Sequence, residues 1–169
     1  MDAQASAVEP QPGDIGVTQI GGDVGRLIRF GQWLNGDGFA NYEHCFVFVG
    51  DGQIVEAEPD GARIADLAEY DARTTVWVRC PDQYRTAVAE AARAFIGRPY
   101  GFLDYAVIAA HHWHLPIPGL SRVAASTRTI ICSALAVAAA RAGGWDLLGT
   151  EPAGYITPAD LAALADPLS

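Results

Sequence analysis

The sequence predicts an α+β fold, with an antiparallel sheet built early in the chain and helices supplied mostly by its second half. Three observations predict it. First, Tyr42–Glu58, YEHCFVFVGDGQIVEAE, holds two runs rich in β-branched and aromatic residues, Cys45–Val49 and Gln53–Ala57, around Gly50-Asp51-Gly52. That is the pattern of a β-hairpin. Second, Asp14–Ile20 and Thr74–Cys80 read as further strands on either side of it. Third, the alanine-rich stretches Ala87–Ile96 and Ile130–Ala142 read as helices and come later. Strands followed by helices, rather than strict alternation, point to α+β.

Composition bounds the rest. At 169 residues, half of them apolar and 18% charged, the chain has the size and make-up of one globular domain. Its net charge of −9 argues against nucleic acid or an anionic membrane surface as partner. No apolar run approaches the roughly 20 residues of a membrane span. Residues 1–12 read as a flexible leader ending at Pro12-Gly13, and residues 13–169 as a single domain without internal repeats. The leader lacks a basic n-region and an apolar h-region, so it does not read as a signal peptide. Cys45, Cys80 and Cys132 cannot all pair, and their spacing fits no zinc pattern. Free thiols in a reducing compartment follow, so the expected location is cytoplasmic, or a site reached by phage or secretion machinery.

The first hairpin strand is nearly all apolar, so it is expected to be covered on both faces. Yet it opens with His44, and the returning strand carries Glu56 inside an apolar run. Burying both groups is expensive unless they are paired or used. Register decides whether they meet. A two-residue Asp51-Gly52 turn pairing Gly50 with Gln53 would send Glu56 to the face opposite His44. A three-residue loop, with Gly52 left-handed in a bulge, pairs Val49 with Gln53 and Phe46 with Glu56. His44 and Glu56 are then diagonal neighbours on one face. Only the second register makes chemical sense of the two residues, and it is the one expected.

Elsewhere, Gly21, Gly22 and Gly25 precede a helical pattern over Asp23–Leu34, but no Walker lysine or GxGxxG follows, so they read as a plain strand-to-helix turn. Asn35–Tyr42 is a loop into the hairpin. After Pro59-Asp60-Gly61 turns the chain, Ile64–Tyr70 reads as a short helix, and Asp82 as the cap of the helix over Ala87–Ile96. Gly97-Arg98-Pro99-Tyr100 stops that helix, and another is expected over Leu103–Ala110. His111, His112 and His114 have no carboxylate or cysteine beside them and suit a helix C-terminus. No metal and no cofactor is expected. Ser121–Thr129 reads as a surface loop. Thr157-Pro158-Ala159-Asp160 starts a terminal helix through Leu164, with a cap, a first-turn proline and an acid at the third position.

Cys132 falls in the first turn of the Ile130–Ala142 helix. A helix N-terminus stabilises anions, so a thiol there can be held as thiolate, above all beside an imidazole. The alternative is a buried structural cysteine. Cys45, on the face away from His44, and Cys80, at a strand end, read as core or edge residues. Glu58 is the rival of Glu56; nearer the Pro59 turn, it reads as solvated. His44, Glu56 and Cys132 together supply the parts of a cysteine-hydrolase triad: thiolate to attack, imidazole to move the proton, carboxylate to orient the ring.

The run HCFVFVGDGQIVEAE, the Gly97-x-Pro99-Tyr100 turn and Ile131-Cys132-Ser133 at a helix start resemble the NlpC-type cell-wall peptidase superfamily. The order, histidine before cysteine, resembles its circularly permuted branch, which also includes lecithin:retinol acyltransferase-like proteins. Pro12-Gly13-Asp14-Ile15 and Thr157-Pro158-x-Asp160-Leu161 look like the two ends of that branch, so the similarity covers most of the chain. A glutamate in the third triad position is closer to the bacterial, peptidase-like members than to the acyltransferases, which usually carry a second histidine. The resemblance implies a papain-like fold in permuted order, its antiparallel sheet carrying His44 and Glu56 against the helix of Cys132. It implies thiol hydrolysis of an amide bond in a peptidoglycan fragment or isopeptide-like peptide. The Cys132 N–H, with Ser133 beside it, is implied as an oxyanion donor, and Tyr100 as an active-site hydroxyl or a turn-packing residue. A lipid acyltransferase or thioesterase using the same triad, and a catalytically silent binding module, are the alternatives.

Overall fold

The computed structural model describes residues 9–19, 42, 44–100 and 131–165. The expected helices at Asp23–Leu34 and Leu103–Ala110, the histidine cluster and the Ser121–Thr129 loop lie outside these residues. Within them the chain is α+β, with one five-stranded antiparallel sheet and a few helices. The strands are β1 (Ile15–Thr18), β2 (His44–Gly50), β3 (Gln53–Glu58), β4 (Gly61–Asp66) and β5 (Thr75–Val78), in the spatial order β4-β3-β2-β1-β5. The helices are α1 (Arg85–Arg93), α2 (Cys132–Ala142) and α3 (Pro158–Ala162), with 3-10 turns at Leu67–Tyr70, Asp82–Tyr84 and Ala153–Tyr155.

β2 is the central strand, and its composition explains why. Side chains alternate across a strand, and six of its seven residues are buried. Cys45, Val47 and Val49 join a core with Ile15, Val17 and Val55, against which α1 and α2 lay Val88, Ala92, Leu135 and Ala136. Phe46 and Phe48 point the other way, into a second cluster with Ile54, Tyr70 and Trp77. Both faces are covered, as the apolar run predicts. Leu135 is wholly buried in α2, so truncating it to alanine would cost about 2–5 kcal/mol. On β1, Gly16 lies opposite Phe46, and a Cβ there would run into the phenyl ring.

The hairpin corrects one expectation while keeping its consequence. The turn is the two-residue one: Gly50 pairs with Gln53, and Asp51 (φ 53°) and Gly52 (φ 70°) both take the left-handed conformation of a type I′ turn. The bulge sits in β2 instead, where the ladder steps from Phe48↔Ile54 to Gly50↔Gln53 and leaves Val49 as the extra residue. That step restores the expected Phe46↔Glu56 pairing. A tight turn and a shared face for His44 and Glu56 are therefore compatible.

Three further expectations change. Ile64–Tyr70 is not a helix: β4 runs to Asp66, and only Leu67–Tyr70 turns, in 3-10 form. The tight Pro59-Asp60 connection pairs Glu58 with Gly61 and carries the ladder on through Gln53↔Asp66, so the segment is held as strand. Asp82 does not cap α1; it opens a 3-10 turn and ion-pairs with Arg85 at 2.9 Å. The strand after Asp71 adds to β1 at the far edge of the sheet, and α3 ends at Ala162 rather than Leu164. The capping box of α3 is present, Asp160 N donating to Thr157 Oγ1 at 3.2 Å and Thr157 N to Asp160 Oδ2 at 2.9 Å. Among the described residues, no helix is long and apolar enough to cross a membrane.

Candidate active site

His44 opens β2 opposite Thr18 of β1 and is almost wholly buried. The Phe46↔Glu56 register brings the Glu56 carboxylate to the edge of its ring, and His44 Nε2 lies 2.8 Å from Glu56 Oε2. The same oxygen accepts a hydrogen bond of 2.5 Å from the Tyr70 hydroxyl. Arg63, directly opposite Glu56 on β4, sets Nη2 2.6 Å from the other oxygen, Oε1. A fully buried carboxylate is thus met by three positive or proton-donating neighbours, the condition under which burial of a charge is tolerable. Burial opposes the ionised form, but His44, Tyr70 and Arg63 outweigh it, and the Glu56 pKa falls below the ordinary glutamate value. Glu58, expected to be solvated, is only 30% exposed and holds Oε1 3.6 Å from His44 Nε2. Burial pushes its pKa up, with the neighbouring Glu56 charge adding to the rise.

Cys132 is the first residue of α2. The residue before it, Ile131, is extended, and its apolar side chain gives the first-turn N–H groups no cap. The Cys132 sulfur lies within electrostatic reach of the His44 imidazole and of the thiol and backbone N–H of Cys45. Nε2 being committed to Glu56, Nδ1 is the ring nitrogen left for the sulfur. The Cys45 thiol is the largest influence on Cys132, and with His44 it outweighs burial and holds the Cys132 pKa well below its usual value. For His44, burial alone would weaken proton binding. Its bonds to Cys132 and Glu56, and their charges, reverse this and raise its pKa from 6.5 to about 10. Both shifts favour a thiolate–imidazolium pair backed by a carboxylate.

All three residues singled out for catalysis are therefore brought together. Cys45 stands on the core face, as its alternation with His44 predicts, yet its thiol and N–H act on the Cys132 sulfur, which alternation alone does not reveal. Ser133 follows Cys132 inside the protein, and its hydroxyl oxygen has no hydrogen-bond partner among the described residues. Tyr100 is half-buried and packs against the core that contains Cys45 and Cys132. Reading Ile64–Tyr70 as helix hides Tyr70, and reading Pro59-Asp60-Gly61 only as a turn hides the register of Arg63. A two-residue Pro59-Asp60 turn would have announced Arg63, because it sets that cation directly across from Glu56.

His44, Glu56 and Glu58 offer ligand atoms within 4.8 Å of one another, the one such group among the described residues. The charges around it favour a proton over a metal ion. Glu56 Oε2 already accepts from His44 and Tyr70, Arg63 neutralises Oε1, and the imidazole retains its proton.

No family model matches the chain, and no curated protein matches it.

Proposed function

We propose that this chain is a cysteine hydrolase that cleaves an amide bond through a Cys132–His44–Glu56 triad. The observation that carries the reading is the placement of Cys132, the first residue of a helix, within electrostatic reach of an imidazole whose Nε2 is 2.8 Å from a buried carboxylate. Nucleophile, base and orienting group in hydrogen-bonded sequence are the geometric signature of covalent acyl transfer.

The chemistry follows from these positions. The Cys132 thiolate attacks the substrate carbonyl carbon, and the carbonyl electron pair moves to oxygen. The first-turn N–H groups of α2, beginning with Cys132 itself, are the donors for that oxyanion, and the Ser133 hydroxyl, without a partner among the described residues, follows them in the chain. The His44 imidazolium gives its proton to the departing amine, leaving a thioester on Cys132. Neutral His44 then takes a proton from water as it attacks the thioester, and the thiolate leaves with the acid product. Glu56 does not exchange protons in this cycle; it fixes the ring plane and favours the imidazolium.

The sheet-and-helix arrangement and the order histidine, glutamate, cysteine support the papain-like, circularly permuted reading together with the resemblance described above. A glutamate as third member supports a peptide substrate, a peptidoglycan stem peptide or an isopeptide-like bond, over a lipid ester. The test is turnover of a stem-peptide mixture, followed by the appearance of new free amines. Cys132→Ser and His44→Ala are each expected to abolish it while circular dichroism and the melting temperature stay near wild type. Turnover that survives Cys132→Ser would overturn the proposal.

A further inference from the structure

The Glu56 carboxylate has more partners than a triad requires, and the additional one is unusually placed. Tyr70, in the 3-10 turn after β4, is buried and donates its hydroxyl to Glu56 Oε2 at 2.5 Å, the same oxygen that lies 2.8 Å from His44 Nε2. Its ring also stacks on the imidazole, with centroids 5.8 Å apart and planes inclined by 17°. Phe46 leans on the same ring at 4.9 Å, so the phenol is clamped within the second core cluster. Arg73 lies 5.0 Å over the tyrosine ring. A tyrosine that merely needed a buried acceptor could use any carbonyl; this one touches both members of the pair that orients the base.

Two effects follow from that contact. A donor on Oε2 stabilises the charged carboxylate against burial, so Glu56 stays ionised to lower pH. A flat ring against the imidazole resists rotation of His44 away from the line joining Glu56 to Cys132. We propose that Tyr70 is a positioning residue of this site, which acts through Glu56 and His44 rather than on substrate and extends to lower pH the range over which the carboxylate holds the imidazole. The inference rests on the hydrolase reading for its consequence in turnover, but not for the contact itself. The charged and titratable groups facing Glu56 are His44 and Cys45 from β2, Arg63 from β4, Tyr70 from the 3-10 turn and Glu58 on its own strand. Arg63 is in turn held by Glu69 at 2.9 Å, and Tyr70 is faced by Glu56, Glu58 and Arg73.

The experiment compares wild type, Tyr70→Phe and a protein carrying 3-fluorotyrosine at its tyrosines. Phenylalanine keeps the stack and deletes the donor, whereas fluorination makes the phenol a stronger donor. Imidazole ¹H–¹⁵N spectra follow the His44 Nε2 proton as the pH is lowered, and the acid limb of kcat/KM on the stem-peptide mixture is measured in parallel. The hydrogen-bonded Nε2 proton of wild type is expected to be lost at higher pH in Tyr70→Phe and at lower pH in the fluorinated protein. The acid limb should follow in the same order. At the acid end kcat should fall about fivefold in Tyr70→Phe, the worth of one hydrogen bond, with KM unchanged. If neither replacement moves the Nε2 signal, the proposal is overturned. If the signal moves and the acid limb does not, Tyr70 is a structural partner only, and the positioning role is overturned. If the signal moves while wild type turns over no amide, the hydrolase reading fails and the hold of Tyr70 on Glu56 and His44 stands. Should Tyr70→Phe not fold, the wild-type and fluorinated proteins still decide the question by the direction of the shift.

Discussion

Phe46 lies directly opposite Glu56 across the β2–β3 ladder, and this pairing delivers the carboxylate to 2.8 Å from His44 Nε2. Glu58, two residues on along the same face, reaches only 3.6 Å from that nitrogen and remains partly exposed. The two acids should therefore behave differently. Glu56→Gln keeps an acceptor for the ring but removes the charge that favours imidazolium, and turnover should fall roughly 10- to 10⁴-fold. Glu58→Gln should change it by less than about threefold, as expected of a partly solvated charge pair. Steady-state kinetics of the two variants checks this, and the reverse ranking would mean that the ladder is out of register.

The three thiols are predicted to react at very different rates. Cys132 is held well below the usual cysteine pKa, first by the Cys45 thiol and then by His44. Burial drives Cys45 well above it, and burial aided by Asp14 takes Cys80 up to about 11. Peptide mapping after brief iodoacetamide treatment of the folded protein at neutral pH should find the adduct on Cys132. Equal labelling of all three, or preference for Cys45, would contradict the assignment of the thiolate.

Cys45 has its own expected effect. Cys45→Ala removes the S–H donor to Cys132 but leaves the backbone N–H. The rate of Cys132 alkylation on the acid side of its profile should drop about fivefold, in line with one lost hydrogen bond. An unchanged profile would show that the Cys45 thiol does not support the thiolate.

How much of this was legible in the sequence depends on where the information sits. His44, Glu56 and Cys132 were legible because an imidazole and a carboxylate in apolar strands, and a thiol in a first helical turn, are each anomalous locally. Phe46↔Glu56 was legible only through its chemical consequence, because Asp51-Gly52 suits the two-residue turn that forms and the compensating bulge at Val49 leaves no mark in composition. Tyr70 is hidden by local propensity, because Ile64–Tyr70 is compatible with a helix, and Arg63 by the turn before it; only pairing with β3 makes Gly61–Asp66 a strand. The contact of Cys45 with Cys132 joins residues 87 positions apart and needs α2 docked on β2.

Stability should carry the imprint of Glu56. Its pKa is lowered in the fold, so its contribution is present above the ordinary glutamate value of 4.5 and is lost as pH falls through the folded value. Glu58, raised in the fold, works in the opposite direction. Urea unfolding of wild type should show stability falling as the pH drops below about 4.5, and Glu56→Gln should flatten that fall. Parallel pH profiles for the two proteins would show that Glu56 is not the group being titrated.

The central claim is that Cys132 forms a covalent acyl-enzyme under the control of His44. Intact-mass spectrometry of the protein quenched in acid during turnover of the stem-peptide mixture, followed by peptide mapping, tests it most directly. The account predicts one added acyl group, located on Cys132, absent from Cys132→Ser and not formed by His44→Ala. Turnover without any such adduct, or an adduct on Cys45 that persists in Cys132→Ser, would contradict it.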